Sequence, residues 1–330
     1  MDRRVDYEPL HAPVATADFE PHARTTVGAE VMLALIPALL SGLLGALVAV
    51  VVGIAMRSFG FALICVGIFA LLGLFWAPFI LASGLRTARR RVRLTRFAQA
   101  NGFAYSFDGG PVDTADPLAE VGAQQSWVER VQIGAAVIAT VTNQLPKRSY
   151  QTSRLVIPLT RTVPHLTLVP VAAGIDWASR QVSAEARAQI ISLEGDFDRH
   201  FTLYAPRDYT TDALYIFTPD VMAALIDHAS GFSITLIDDQ LIVRPLLGTF
   251  DLTDDALWRR LFAVLDSVAP EVAGQTLRYR DERSEVRSLI AQSGRRLTGG
   301  LTFGRAIGVT AFLLGVAAVF VVPFLLDSSR

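Results

Sequence analysis

Three long runs without a charged side chain constrain this chain more than anything else in it. Val31 to Met56, Ser58 to Leu85 and Ala306 to Leu326 contain no Asp, Glu, Lys or Arg. Each exceeds the roughly 18–20 apolar residues that carry a helix across the hydrocarbon core of a bilayer. A helix packed on a water-soluble core would keep a polar stripe, and these runs have none. They predict three transmembrane α-helices, at 31–56, 58–85 and 306–326. Arg57 alone interrupts the first two with charge, so they read as a tight helical hairpin. The first run does not read as a cleaved signal peptide, because thirty mostly polar residues precede it and it is too long for a signal core.

The flanking charges predict an orientation. Arg86, Arg89, Arg90, Arg91, Arg93 and Arg96 follow the hairpin, and Arg295, Arg296 and Arg305 precede the third run. Basic residues beside membrane helices stay on the cytoplasmic side. The expected arrangement is a multi-pass protein of the bacterial cell membrane with a cytoplasmic N-terminal tail (1–30), a basic collar (86–96) and a cytoplasmic body. Residues 327–330 then fall outside. These nine arginines are the expected contacts to anionic inner-leaflet lipids, each worth about 1 kcal/mol close to the surface. No ionisable residue lies inside a run, which argues against an ion or proton pathway. Cys65, the single cysteine, sits in the second run, so no disulfide or cysteine-based zinc site is expected.

Between Phe97 and Gly304 the chain carries 24 acidic residues against 18 basic ones, and Lys147 is its single lysine. A mildly acidic body argues against nucleic acid as a partner, because that affinity rests on neutralising phosphates. "TRFAQANGFAYSFDGG" predicts a helix stopped at Asn101-Gly102 and then a short strand. "ERVQIGAAVIATVTN" and "YQTSRLVIPLTR" are β-branched runs on either side of a loop containing Pro146. "FTPDVMAALIDHASG" predicts a helix with Thr218 at its N-cap and Pro219 in its first turn. "FSITLIDDQLIVRP" reads as a hairpin about Asp238-Asp239. "TDDALWRRLFAVLDSV" places Leu257, Leu261, Phe262, Leu265 and Val268 on one helical face. Hairpins and helices without repeated βαβ units predict an α+β domain over 97–274. The segment 275–305 reads as a charged connecting helix, with Arg280, Arg283 and Arg287 along one stripe.

"LEGDFDRHFTLYAPRDY" gathers the best candidates for chemistry. On a strand, Asp196, Asp198 and His200 share a face, and two carboxylates with an imidazole can hold a divalent ion. Same-face positions stand about 7 Å apart along a strand, too far for a compact site without a bend. As a turn after Gly195, Phe197 and Phe201 instead stack at i and i+4. Either geometry yields one apolar and one charged side, the pattern of a half-buried element that needs no chemistry. Asp196, Asp198 and His200 remain the catalytic or metal candidates. The remaining body histidines are His165, at a strand start, and His228, near a helix end. No P-loop, G-x-S-x-G elbow, H-E-x-x-H or dinucleotide fingerprint is present, and no cofactor is expected.

"RFAQANGFAYSFD", "LTRTVPHLTL", "LEGDFDRHFTLYAP", "DALYIFTPDVMAALID" and "IDDQLIVR", in that order, resemble an uncharacterised family of actinobacterial multi-pass membrane proteins. The resemblance covers most of Arg96 to Arg244, with a poor match over Asp108 to Lys147. It implies an inner-membrane protein with a cytoplasmic domain and brings no activity, cofactor or catalytic residue with it. The sequence thus points to a membrane-anchored cytoplasmic binding or scaffold protein with a protein partner, or a homo-oligomer. A membrane-associated hydrolase or metal-dependent enzyme using Asp196, Asp198 and His200 is the alternative, and an oligomeric pore the third.

Overall fold

A computed structural model of the chain describes, isolated positions aside, residues 4–15, 85–107, 122–173, 189–284 and 289–295. Among the described residues no helix is long and apolar enough to cross a membrane. This corrects the expected fold class, and with it the description of the chain as a transmembrane inner-membrane protein. The helices that are described are short and amphipathic, or carry arginines along their length. The uncharged runs at 31–56, 58–85 and 306–326 lie, apart from isolated positions, outside the described residues.

What is observed is a mixed α/β architecture built on antiparallel strand pairs. Seven strands follow in chain order: β1 (Ala104–Ser106), β2 (Gln124–Ile133), β3 (Ala136–Leu145), β4 (Arg148–Pro170), β5 (Ile190–Ile191), β6 (Phe201–Tyr204) and β7 (Phe232–Pro245). Pairing runs β1-β2-β3-β4-β6-β5, and β7 also pairs with β4. The chain divides into two compact units, residues 1–158 with 247–267, and residues 159–246 with 268–330.

The first unit is organised by the meander β2-β3-β4. Two-residue turns join these strands, since Ile133 pairs with Ala136 and Leu145 with Arg148. Gly134 turns the first corner at φ +60, a backbone conformation that glycine adopts without a steric penalty. The single run expected over "ERVQIGAAVIATVTN" is therefore two strands. Helix α1 (Glu8–His11) and helix α2 (residues 85–101) belong to this unit, as does α3 (Asp255–Ala263), whose N-cap Asp254 accepts the Ala256 N–H at 2.9 Å. Gly102, at φ +70, ends α2 where the sequence places the stop. Phe97, Phe103, Trp258 and Phe262 form an aromatic cluster, with the Phe97 and Trp258 ring centroids 4.8 Å apart. Trp258 donates its indole N–H to the Leu252 carbonyl at 2.8 Å, which meets its polar need inside the core.

The start of the chain departs from the flexible tail expected of it. Tyr7 stacks on Phe97, Leu10 is buried, and Asn101 exchanges hydrogen bonds with the backbone of Asp6 at 2.8 and 2.9 Å. Three prolines and scattered charge hid this segment's few anchoring apolar side chains.

In the second unit the C-terminal part of β4 pairs with β6, matching Leu168 to Leu203 and Pro170 to Phe201. Helix α4 (Thr210–Ile216) precedes α5 (Pro219–Ala229), which begins at Thr218-Pro219 as its sequence dictates. The segment expected as a hairpin is the one continuous strand β7, with Asp238 at φ +53. Helix α6 (Ala269–Thr276) ends where a long connecting helix was expected to run on, and among the described residues after it regular helix returns as the single turn α7 (Gln292–Arg295). The expected stripe does not form, because Arg283 is held against acidic side chains at the surface. It binds the carboxylates of Asp212 and Asp281 at 3.0 and 3.4 Å and the Asp208 carbonyl.

Candidate binding face on the first sheet

The segment Leu193 to Tyr209 takes the turn geometry. Residues Phe197–Arg199 form a 3₁₀ turn after Gly195, and Phe197 stacks on Phe201 with ring centroids 5.3 Å apart. Leu193, Phe197, Phe201 and Leu203 are buried, while Glu194, Asp196 and Asp198 are exposed and His200 is half-buried. Asp198 is occupied by local structure, accepting from the Ser192 hydroxyl and from the Leu193 N–H at 3.1 Å. The backbone of His200 is also bound, donating to Phe197 and accepting from Val171, both at 2.9 Å. Asp196, Asp198 and His200 are neighbours in chain but do not converge. Among the described residues no group of three His, Cys, Asp or Glu could hold a metal ion. His165 is elsewhere, buried on β4, where Nδ1 accepts the Leu297 N–H at 2.9 Å and Nε2 faces Thr167 Oγ1 at 3.3 Å.

The collar arginines are not one exposed band. Arg86 and Arg89 are exposed, but Arg90 reaches inward to the buried carboxylate of Glu129 in a two-pronged ion pair, one arm 2.8 Å long. Burial works against the charge on Arg90, and the bond and charge of Glu129 outweigh it, so the guanidinium holds its proton more firmly than usual. Arg91 lies over the Phe107 ring, Arg93 is half-buried, and Arg96 pairs with Asp18 at 3.1 Å. Arg295 donates to the Ile290 carbonyl at 2.8 Å. Arg296 and Arg305 lie outside the described residues.

The arrangement that collects recognition chemistry is one the sequence did not single out. Register shifts between Trp127 and Glu129, because Trp127 pairs with Val141 while Glu129 pairs with Thr140. One extra residue, Val128, makes a β-bulge. Without it, Trp127 and Arg130 would point to opposite faces, since side chains alternate along a strand. With it, both join the face of Ala139 and Val141. Glu129 is thereby sent to the opposite face, where it meets Arg90 and the Thr140 hydroxyl.

The rows across the meander then read directly from the register. Arg130 lies beside Ala139 and Arg154, Trp127 beside Val141 and Thr152, and Gln125 beside Asn143 and Tyr150. Long side chains stand over small ones, and Ala139 and Val141 are fully covered. The Trp127 ring has the Arg130 guanidinium 5.5 Å from its centroid and that of the buried Arg154 at 6.0 Å. Cations at that distance are drawn to the electron-rich face of an indole. Arg148 sits in the same way over Tyr150, at 5.4 Å. Gln125 donates to Asn143 at 2.8 Å, and Asn143 donates to Thr152 at 3.0 Å, a polar ladder across three strands.

Charge separates this face from the rest of the body. From Val121 to Thr160 the only acidic residue is Glu129, and it belongs to the other face; the basic residues there are Arg130, Lys147, Arg148 and Arg154. The sequence held a signal for this, a local excess of bases inside an acidic body, but the bulge that groups them is visible only in the register. Comparison with known proteins finds no matching family model, no matching curated protein and no matching solved structure.

Proposed function

We propose that this chain is a binding module that recruits a protein partner through the arginine–aromatic face of β2, β3 and β4. The observation that carries the reading is Trp127, rephased by the Val128 bulge to the face where Arg130 and Arg154 lie 5.5 and 6.0 Å from its ring centroid. Arginine, tryptophan and tyrosine are the side chains in which binding energy concentrates at protein interfaces. A bulge that re-aims a side chain is a common device beside functional sites. The chemistry of the face favours recognition over turnover. Guanidinium groups stay protonated at all physiological pH values and so exchange no proton with a substrate. Indole, phenol and amide groups orient a ligand by stacking and hydrogen bonding.

A photo-crosslinking amino acid at position 148, in cells that express the full chain, tests the proposal. Gln151 is the control position, since it pairs with Thr142 and projects from the opposite face of the same strand. A discrete adduct from position 148 that is missing from position 151 supports the module. Equal adducts from both positions, or none from either, remove it.

A further inference from the structure

We infer that the seam between α2 and α3 is a peptide-binding site whose ligand is the chain's own N-terminal segment, residues 4–15, and that a second copy of the chain supplies the same segment in exchange. The inference lies within the first unit and does not rest on the face of β2, β3 and β4.

The segment runs along α2 in the opposite direction to that helix. Asp6 meets Asn101 at the end of α2 through the two hydrogen bonds of 2.8 and 2.9 Å, and Tyr7 stacks on Phe97 with ring centroids 6.1 Å apart. Val14 packs with Leu85 and Val92 against the buried Ala88, near the start of the helix. Asn101 and Ala88 are about 20 Å apart at the helical rise, a span within reach of the stretch from Asp6 to Val14. Helix α3 forms the other side of the seam. The Arg259 guanidinium lies 5.0 Å from the centroid of the Tyr7 ring, and His11 Nε2 is 4.0 Å from the Asp255 carboxylate. Charge is matched just beyond the segment, where Asp18 pairs with Arg96 at 3.1 Å. The single turn α1, with Pro9 suited to its first positions, brings Tyr7 and Leu10 to one side. Tyr7, Leu10 and Val14 stand at i, i+3 and i+7, the anchor spacing of peptides that lie in apolar grooves.

Contacts, rather than connection through the chain, set this position, since Asp6 and Asn101 are 95 residues apart in sequence. Leu10, at 1% exposure, is the one fully buried residue of the segment, and the others are half-buried or exposed. A segment with so few buried side chains opens at a lower cost than the unit it covers. The same segment from a second copy makes the same contacts, so exchange replaces like with like, the condition under which identical elements swap between protomers at low cost. Weakening the chain's own segment raises the fraction of open seams, and with it the apparent affinity for a segment from outside.

A fluorescein-labelled peptide of residues 1–15, followed by anisotropy, tests the site in the full chain. The Leu10→Ala chain, whose circular dichroism confirms the fold, should bind this peptide at least tenfold more tightly than the parent. Adding Asn101→Ala to that chain should weaken binding severalfold, and a peptide carrying Tyr7→Ala and Leu10→Ala should not bind. If Leu10→Ala does not fold, Tyr7→Ala takes its place with the same expectation. Equal binding by parent and variant, or no binding by the variant, overturns the inference. Exchange between copies is tested by mixing a tagged Leu10→Ala chain with the untagged parent. The parent should co-purify and be released by excess peptide, while untagged Leu10→Ala should not co-purify. Absence of the parent, or a pairing that the peptide does not release, overturns the exchange.

Discussion

Asp281 closes the second unit's C-terminal segment onto α4, and its replacement by alanine should be costly. Its carboxylate is fully buried and accepts the Tyr209 hydroxyl at 2.7 Å, the Ala291 N–H at 2.9 Å and the Arg283 N–H at 3.0 Å. The Arg283 guanidinium lies 4.5 Å from the centroid of the Tyr209 ring, so charge and ring form one knot. Asp281→Ala leaves three donors without their acceptor, each costing about 1 kcal/mol or more when water cannot replace it. Arg283 keeps Asp212 and is itself partly exposed, so its lost charge pair adds little. The sum is about 3 kcal/mol, at the low end of what removing one partner of a buried ion pair costs. For a cooperative unit of this size that lowers Tm by about 6–12 °C. Urea unfolding followed by circular dichroism measures it, with a lower midpoint at unchanged slope. Tyr209→Phe removes one of the three bonds and should cost about a third as much. An Asp281→Ala effect under about 0.5 kcal/mol, or a Tyr209→Phe effect of equal size, would refute the reasoning.

The same knot predicts pH dependence at both extremes. Burial opposes the charge of Asp281, but the bonds from Tyr209, Ala291 and Arg283 outweigh it and hold its pKa below the usual value. Its contribution is therefore present above about pH 4 and lost as acid titrates the carboxylate in the native state. Tyr209 is pushed up to about 12, first by burial and then by its bond to Asp281. The unfolded phenol ionises near about pH 10, so this contribution is full below that and fades as pH rises toward the native value, which a series of melts between neutral and alkaline pH will follow. Gly294→Ala should lower Tm, because a Cβ there would run into the ring atoms of Tyr209, and an unchanged melt would place that ring elsewhere. Trp258→Ala should cost about 3–5 kcal/mol by emptying the aromatic cluster of the first unit, read from urea midpoints. Deleting Val128 removes the bulge and turns Trp127 to the other face, and it should abolish the position-148 adduct while Gln151→Ala leaves it intact.

Where local signals were strong, the sequence was enough. Pro219 begins a helix after Thr218, whose side chain makes no capping bond, and Gly102 at φ +70 ends one after Asn101, because the fixed φ of proline and the freedom of glycine suit those positions. The turn at Gly195 was one of two geometries readable from the spacing of Phe197 and Phe201, and the 3₁₀ turn over Phe197–Arg199 is the one the chain takes. Other features depended on contacts distant in sequence. Arg283 reads as part of a basic stripe until Asp212, 71 residues away, takes its guanidinium. Arg90 reads as a membrane collar until Glu129 appears beneath it, and burial of that pair is a tertiary fact. Strict alternation misassigns Trp127 because one extra residue reverses its face, and no composition signal marks Val128 as the bulge. The uncharged runs are plain in the sequence, yet the helices that are described carry polar and charged positions along them.

Four tryptophans make the central claim directly measurable. With ¹⁵N-labelled tryptophan in the full chain, the indole N–H of Trp127, assigned through Trp127→Phe, is compared between the parent and a variant that lacks Val128, in which the ring leaves Arg130 and Arg154. The account predicts that the Trp127 signal moves in the deletion variant while that of Trp258, buried in the aromatic cluster, stays in place. A stationary Trp127 signal, or a shift of equal size at Trp258, would contradict it.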